Sequence, residues 1–283
     1  MDSTNPPGQT AFVLGGGGLL GAHEVGMLQA LAECEIAPDL ILGTSIGAVN
    51  GALFAGDPTA EGVARLSRLW QSSDLAEISA GSLLRRAGTL VRSGTHLESL
   101  EAARERLREA FSQRRVEDLP VPFQCVAASI ERAAEHWFTE GELVDVVLAS
   151  CAVPGILPPV PIDGEHYIDG GIVNSIPVAR AVALGARVIY VLQVGRLEKP
   201  LVPPRWPWEV GLVAFEVARR HRFAHDLQSL PDDVELHVLP TGGSAAPAYN
   251  DLSSQIRLRR IARTVAQQID ASYEASLQYL QER

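Results

Sequence analysis

The chain has 283 residues, 46% of them hydrophobic, and a formal net charge of −10. That is enough apolar content for a sizeable core, while the acidic balance and the lack of a lysine or arginine run argue against a nucleic-acid partner. Its three cysteines, Cys34, Cys125 and Cys151, are odd in number and scattered, which speaks against a disulfide framework, for a reducing compartment, and for no metal motif.

Residues 1–10, MDSTNPPGQT, are polar with no basic start and no apolar middle. They read as a flexible N-terminus and not as a signal peptide. TAFVLG then reads as a buried strand, followed by four glycines, Gly15 to Gly18, and by AHEVGMLQALAEC with apolar residues at helical spacing. PDLILGTS is a second strand and IGAVNGALFAGD a small-residue helix. AEGVARLSRLWQSS and HLESLEAARERLREAFSQ are helices by period. FQCVAASIE and EHWFTEG are strand candidates, and GELVDVVLASCAVPG is a helix expected to end at Pro154 and Gly155. EHYIDGG is a short strand entering a turn. PVARAVALGARVIYVLQV is a helix, a glycine stop and a β-branched strand. VELHVLP is another strand, and QIRLRRIARTVAQQIDASYEASLQYLQER a long amphipathic helix.

Strands separated by helices point to an α/β protein: a three-layer α/β/α sandwich with a mainly parallel central sheet. Residues 11–283 are expected to form one domain, carrying AGSLLRRAGTLVRSG and RLEKPLVPPRWPWEVGLVAFEVARRHRF as insertions. No run reaches the ~18 apolar residues a spanning helix needs. The expectation is a cytoplasmic protein whose membrane contact, if any, is peripheral. Leu83, Leu84, Leu90 and Val91 near Arg85, Arg86 and Arg92, and Trp206, Trp208, Leu212, Val213 and Phe215, are candidates for such an interfacial surface. The sequence leaves the oligomeric state open.

The glycine run lies between a strand and a helix, where unpaired amides and the positive end of the helix dipole favour negative charge. A permanent anion there would be a phosphate. Gly16, Gly18 and Gly21 fit G-x-G-x-x-G, but the acidic residue that motif requires about 20 residues on would be Asp39, which precedes its strand instead of ending it. A transient anion would be an oxyanion of acyl transfer, and the next strand supplies a nucleophile for it. Gly43-Thr44-Ser45-Ile46-Gly47 is a G-x-S-x-G between strand and helix, the context in which a sharp turn exposes a serine oxygen. For a base, the seven histidines offer no loop motif after a strand, His237 being the late histidine a Ser-Asp-His arrangement would use. His221 and His225 have metal spacing without a third ligand. Asp169 ends a strand and precedes Gly170 and Gly171, which permit a turn that aims its carboxylate out of the sheet.

Three blocks in this order, GGGGLLG, GTSIG and DGG, with ASCAVPGILPPV before the last, resemble the patatin-like phospholipases of bacterial type. The resemblance covers residues 11 to about 195. It implies a serine acyl hydrolase acting on lipid or related acyl esters, with Ser45 as nucleophile, Asp169 as base, and neither metal nor cofactor. It implies that the amides around Gly16, Gly17, Gly18 and Leu19 hold the oxyanion. Leu20 stands where that family usually carries arginine or lysine, which bears on headgroup recognition. Open alternatives are an α/β-hydrolase triad, a non-catalytic phosphate- or dinucleotide-binding protein, and a lipid-binding homologue without turnover.

Overall fold

The computed structural model of the chain describes residues 9–72, 99–194, 200–204, 207–242 and 261–283. The described residues carry eight strands of one sheet, β1 (Gln9–Leu14), β2 (Leu40–Thr44), β3 (Phe123–Ser129), β4 (Ala134–Phe138), β5 (Val160–Ile162), β6 (Glu165–Asp169), β7 (Ala186–Leu192) and β8 (Glu235–Val238). Its order is β5-β6-β3-β2-β1-β7-β8, with β4 also on β3. The β8-β7-β1-β2-β3 core is parallel throughout, and β4, β5 and β6 add antiparallel pairings at one side.

The layers follow from alternation along β1. Phe12 and Leu14 join one buried cluster with Val25 and Leu28 of α1 (Ala22–Glu33), Val49 of α2 (Ile46–Gly56), Leu66 of α3 (Ala60–Gln71), Leu107 of α4 (Leu100–Ala110), Val147 of α5 (Leu143–Ser150), and Ile269 of the C-terminal helix (Ile261–Gln281). Ala11 and Val13 point the other way. They join Val178 and Ala181 of α7 (Val178–Ala183) and Phe223 of α8 (Pro207–Gln228). Successive side chains of a strand face opposite sides, so helices cover both faces and the sandwich has three layers. The one-turn α6 (Gly171–Asn174) precedes α7, and the C-terminal helix is α9.

Several expected boundaries move. β1 begins at Gln9, inside the stretch read as a flexible N-terminus. Thr10 is held there by the Asp39 carboxylate, which accepts its amide at 2.8 Å. Helix α5 stops at Ser150, short of Pro154. The carbonyls of Ser150 and Ala152 instead accept the amides of Gly170 and Asp169, at 3.2 and 3.0 Å, and a residue before proline resists the helical conformation in any case. β5 has no counterpart in the pattern above. It pairs with β6 through the two-residue turn Asp163-Gly164, both at positive φ, a type I′ hairpin for which Asp-Gly is the sequence signal. Of the candidate interfacial residues, Leu83 to Arg92 and Trp206 lie outside the described residues. The backbone of Trp208, Leu212, Val213 and Phe215 runs in α8.

Candidate active site

Strand β3 brings the site together. β4 pairs along one edge of it, from Cys125 to Ser129. The other edge is shared by two strands end to end. β2 runs parallel and ends with Thr44 opposite Val126. β6 runs antiparallel and ends with Asp169 opposite Ala127. The tips of β2 and β6 therefore face each other one ladder step apart, and Ser45 is the next residue after β2.

Ser45 turns the chain sharply, with φ 55° and ψ −124°. That backbone costs a non-glycine residue about 1–3 kcal/mol, and the tertiary structure enforces it. The Ser45 amide donates to the Ser150 hydroxyl at 2.9 Å, and the Thr44 hydroxyl donates to the Asn174 carbonyl at 2.9 Å. A Cβ on Gly47 would lie 2.3 Å from the Leu14 carbonyl oxygen, so only glycine lets α2 begin this close to β1. On the other side, a Cβ on Gly170 would lie 2.1 Å from the Val126 carbonyl oxygen, so the turn after β6 is equally tight. Gly43 and Gly171 flank these turns, and the Gly171 amide donates to Asp169 Oδ1 at 2.7 Å.

The Ser45 hydroxyl donates to Asp169 Oδ2 at 2.6 Å. Asp169 is 1% exposed. Burial pushes its carboxyl up to about 6, against the opposing pull of the hydrogen bonds from Ser45 and Gly171. Such a group is ionised at neutral pH yet far more basic than an exposed aspartate, which suits proton abstraction from a hydroxyl. Cys151 lies beside it, and burial, then the Asp169 charge, pushes its thiol well above the usual range. It is held as a neutral thiol.

The glycine loop closes the third side. Gly16 packs next to the elbow: a Cβ there would lie 3.4 Å from that of Ser45. Its amide is already committed, donating to the Ser175 carbonyl at 3.0 Å. The amides of Gly17 and Gly18 have no acceptor among the described residues. Gly18, at φ 56°, opens a short 3-10 helix through Leu19 and Leu20 to Gly21. Behind the loop, Asn50 of α2 donates to the Gly21 carbonyl at 3.0 Å and to the Glu24 carboxyl at 2.7 Å, and accepts from the Trp70 indole at 2.9 Å. Burial pushes the Glu24 carboxyl well up. This polar cluster ties the end of the glycine loop to the helix that starts at the elbow.

The residues singled out by alternative readings lie elsewhere. Asp39 sits at the beginning of β2, at the opposite end of the strands from the glycine loop, so it does not face an anion bound there. His237, on β8, stacks on Tyr190 with ring centroids 4.6 Å apart and bonds Glu235 at 3.0 Å. His136 and His166 bond Arg132 and Glu131. His221 and His225 are exposed on α8, and His96 lies outside the described residues. Ser150, Asn174 and Ser175 hold the site in place and carry no motif of their own. Their only signal is a position within a few residues of the Cys151-to-Gly171 block.

The sequence model of the patatin-like phospholipase family matches residues 12–182. The chain is 36% identical over 187 residues to "Patatin-like phospholipase domain-containing protein 7" of Rattus norvegicus, covering 65% of this chain and 13% of that protein. It is 33% identical over 188 residues to "Lysophospholipase NTE1" of Phaeosphaeria nodorum, covering 66% of this chain and 12% of that protein. The chain thus spans a small part of the length of these relatives. Among solved structures, VipD from Legionella pneumophila aligns with a TM-score of 0.46 at 14% identity, covering 95% of this chain and 67% of that one.

Proposed function

The chain belongs to the patatin-like phospholipase family, and we propose that it is a serine acyl hydrolase cleaving acyl esters of lipids with a Ser45–Asp169 dyad. The observation that carries this reading is the 2.6 Å hydrogen bond from the Ser45 hydroxyl to a buried carboxylate. Ser45 Oγ attacks the ester carbonyl carbon while its proton passes to Asp169 Oδ2. The carbonyl oxygen becomes an oxyanion, received by the amides of the glycine loop from Gly17 through Gly18 and Leu19. The tetrahedral intermediate collapses, and the alcohol leaves with the proton from Asp169. The carboxylate, ionised again, takes a proton from water, whose oxygen attacks the acyl-enzyme; the second tetrahedral intermediate collapses and releases the fatty acid as Asp169 returns the proton to Ser45 Oγ. No step calls for a histidine, a metal or a cofactor.

The substrate class rests on the family and on a relative's name, lysophospholipase, which makes lysophospholipids and phospholipids the first esters to try. Among the described residues no helix is long and apolar enough to cross a membrane. Access to lipid would then be from the surface, where Val210 and Val217, both over half exposed, lie two turns apart on α8. Vesicle flotation checks that surface contact.

A fluorophosphonate probe, which traps an activated serine, tests the dyad. Wild type is labelled and hydrolyses p-nitrophenyl butyrate and lysophosphatidylcholine. Ser45→Ala does neither, and Asp169→Asn is labelled far more slowly. Labelling that survives Ser45→Ala would overturn the assignment.

A further inference from the structure

Helix α8 begins beyond the residues matched by the family, yet one of its side chains bonds a residue that holds the glycine loop. Arg219 is 5% exposed. Its Nε donates to the Ser175 hydroxyl at 3.0 Å, and its Nη1 to both carboxylate oxygens of Glu216, each at 3.0 Å. Its Nη2 is buried with no hydrogen-bond partner among the described residues. Burying a guanidinium and leaving one of its donors unmade is costly, so a helix that needed only to cover the sheet would place an apolar residue here.

Ser175 is the junction of the site. Its carbonyl accepts the Gly16 amide, and its hydroxyl lies 3.2 Å from where a Cβ on Gly16 would stand. The preceding carbonyl, of Asn174, accepts the Thr44 hydroxyl next to the nucleophile. Residues 174 and 175 thus hold the glycine loop with one carbonyl and the elbow with the other. They close α6, the single helical turn that follows Asp169 and Gly170. α8 grips this junction twice. Arg219 bonds Ser175, and Arg222 lies 3.8 Å from Glu135, which accepts from the Asn174 side chain at 3.1 Å.

We propose that Arg219 is a positioning residue for acyl transfer: through the Ser175 hydroxyl it holds the glycine loop in register with the Ser45 elbow. The proposal rests on the hydrolase reading above. The loop itself, residues 15–21, carries no charged side chain, so its placement depends on such outside contacts. An amide displaced by a fraction of an ångström still lets ester bind but meets the oxyanion poorly. The loss therefore belongs in kcat and not in KM.

The test uses the full chain and p-nitrophenyl butyrate. Arg219→Met and Ser175→Ala each lower kcat about tenfold or more with KM within about twofold, the pattern of an interaction made only in the transition state. The double variant is no worse than the poorer single one, because both remove one contact. Phe223→Ala, which takes apolar packing from the same helix, lowers the melting temperature while kcat, measured below it, stays within about twofold. Multiplying losses in the double variant, or kcat unchanged in Ser175→Ala, overturns the proposal, and the latter decides it even if Arg219→Met does not fold. Ser45→Ala is run beside them. Full activity there would sink the Ser45–Asp169 dyad on which the proposal rests, a result distinct from any obtained at Arg219.

Discussion

Replacing Asp169 by asparagine should abolish turnover and stabilise the protein. The wild-type carboxyl is moved by burial from 3.8 to about 6, and each pH unit of such a rise is worth about 1.4 kcal/mol. A raised carboxyl costs the folded state nothing below its unfolded pKa. The cost grows as pH climbs, and is complete above the folded value. At pH 7.5 the ionised Asp169 therefore destabilises the fold by about 3 kcal/mol. Asparagine has the same shape, carries no charge, accepts the Gly171 amide through its oxygen and can donate to Ser45 through its nitrogen. Urea unfolding at pH 7.5 should show Asp169→Asn more stable than wild type by up to about 3 kcal/mol, narrowing to about 1 kcal/mol at pH 4.5. A variant no more stable than wild type at pH 7.5, or a gain that does not shrink in acid, would refute the claim that desolvation of a charge sets the basicity of this group.

The same carboxyl must be ionised to take a proton, so kcat/KM should fall tenfold per pH unit below about 6, and stopped-rate assays from pH 4.5 to 8 will locate the limb. Gly47→Ala drives a methyl into the Leu14 carbonyl and should lose about 2–3 kcal/mol in chemical denaturation. Asn50→Leu strands the Trp70 indole, the Gly21 carbonyl and the Glu24 carboxyl, and should lower stability by about 2–4 kcal/mol, read from thermal melts. His237→Ala should leave kcat within about twofold, since its ring is occupied by Glu235 and Tyr190. A loss of several orders of magnitude would favour a triad.

The core strands were legible because both faces of β1, β2 and β7 are buried, which writes unbroken apolar runs such as AFVL and VIYVL into the chain. Ser45 and Asp169 were legible because each sits where a strand stops against glycines that nothing larger could replace. What escaped was everything set by distant neighbours. The commitment of the Gly16 amide depends on Ser175, more than 150 residues away, and the end of α5 depends on which amides claim its last carbonyls. Arg219 belongs to an arginine-rich stretch that looks like a solvated face, and only packing shows that one of those side chains turns inward. The Asp163-Gly164 hairpin was readable from its dipeptide, but the three-residue strand before it is too short to show alternation.

The meeting of β2 and β6 on a single edge of β3 makes backbone length a ruler for chemistry. A residue inserted between the Asp163-Gly164 turn and Asp169 would slide the carboxylate about 3.4 Å along its neighbour and turn it to the opposite face. A deletion would do the same in reverse. Mutational scans with indels should therefore find this five-residue stretch intolerant of any change in count, while the exposed position His166 accepts changes of identity.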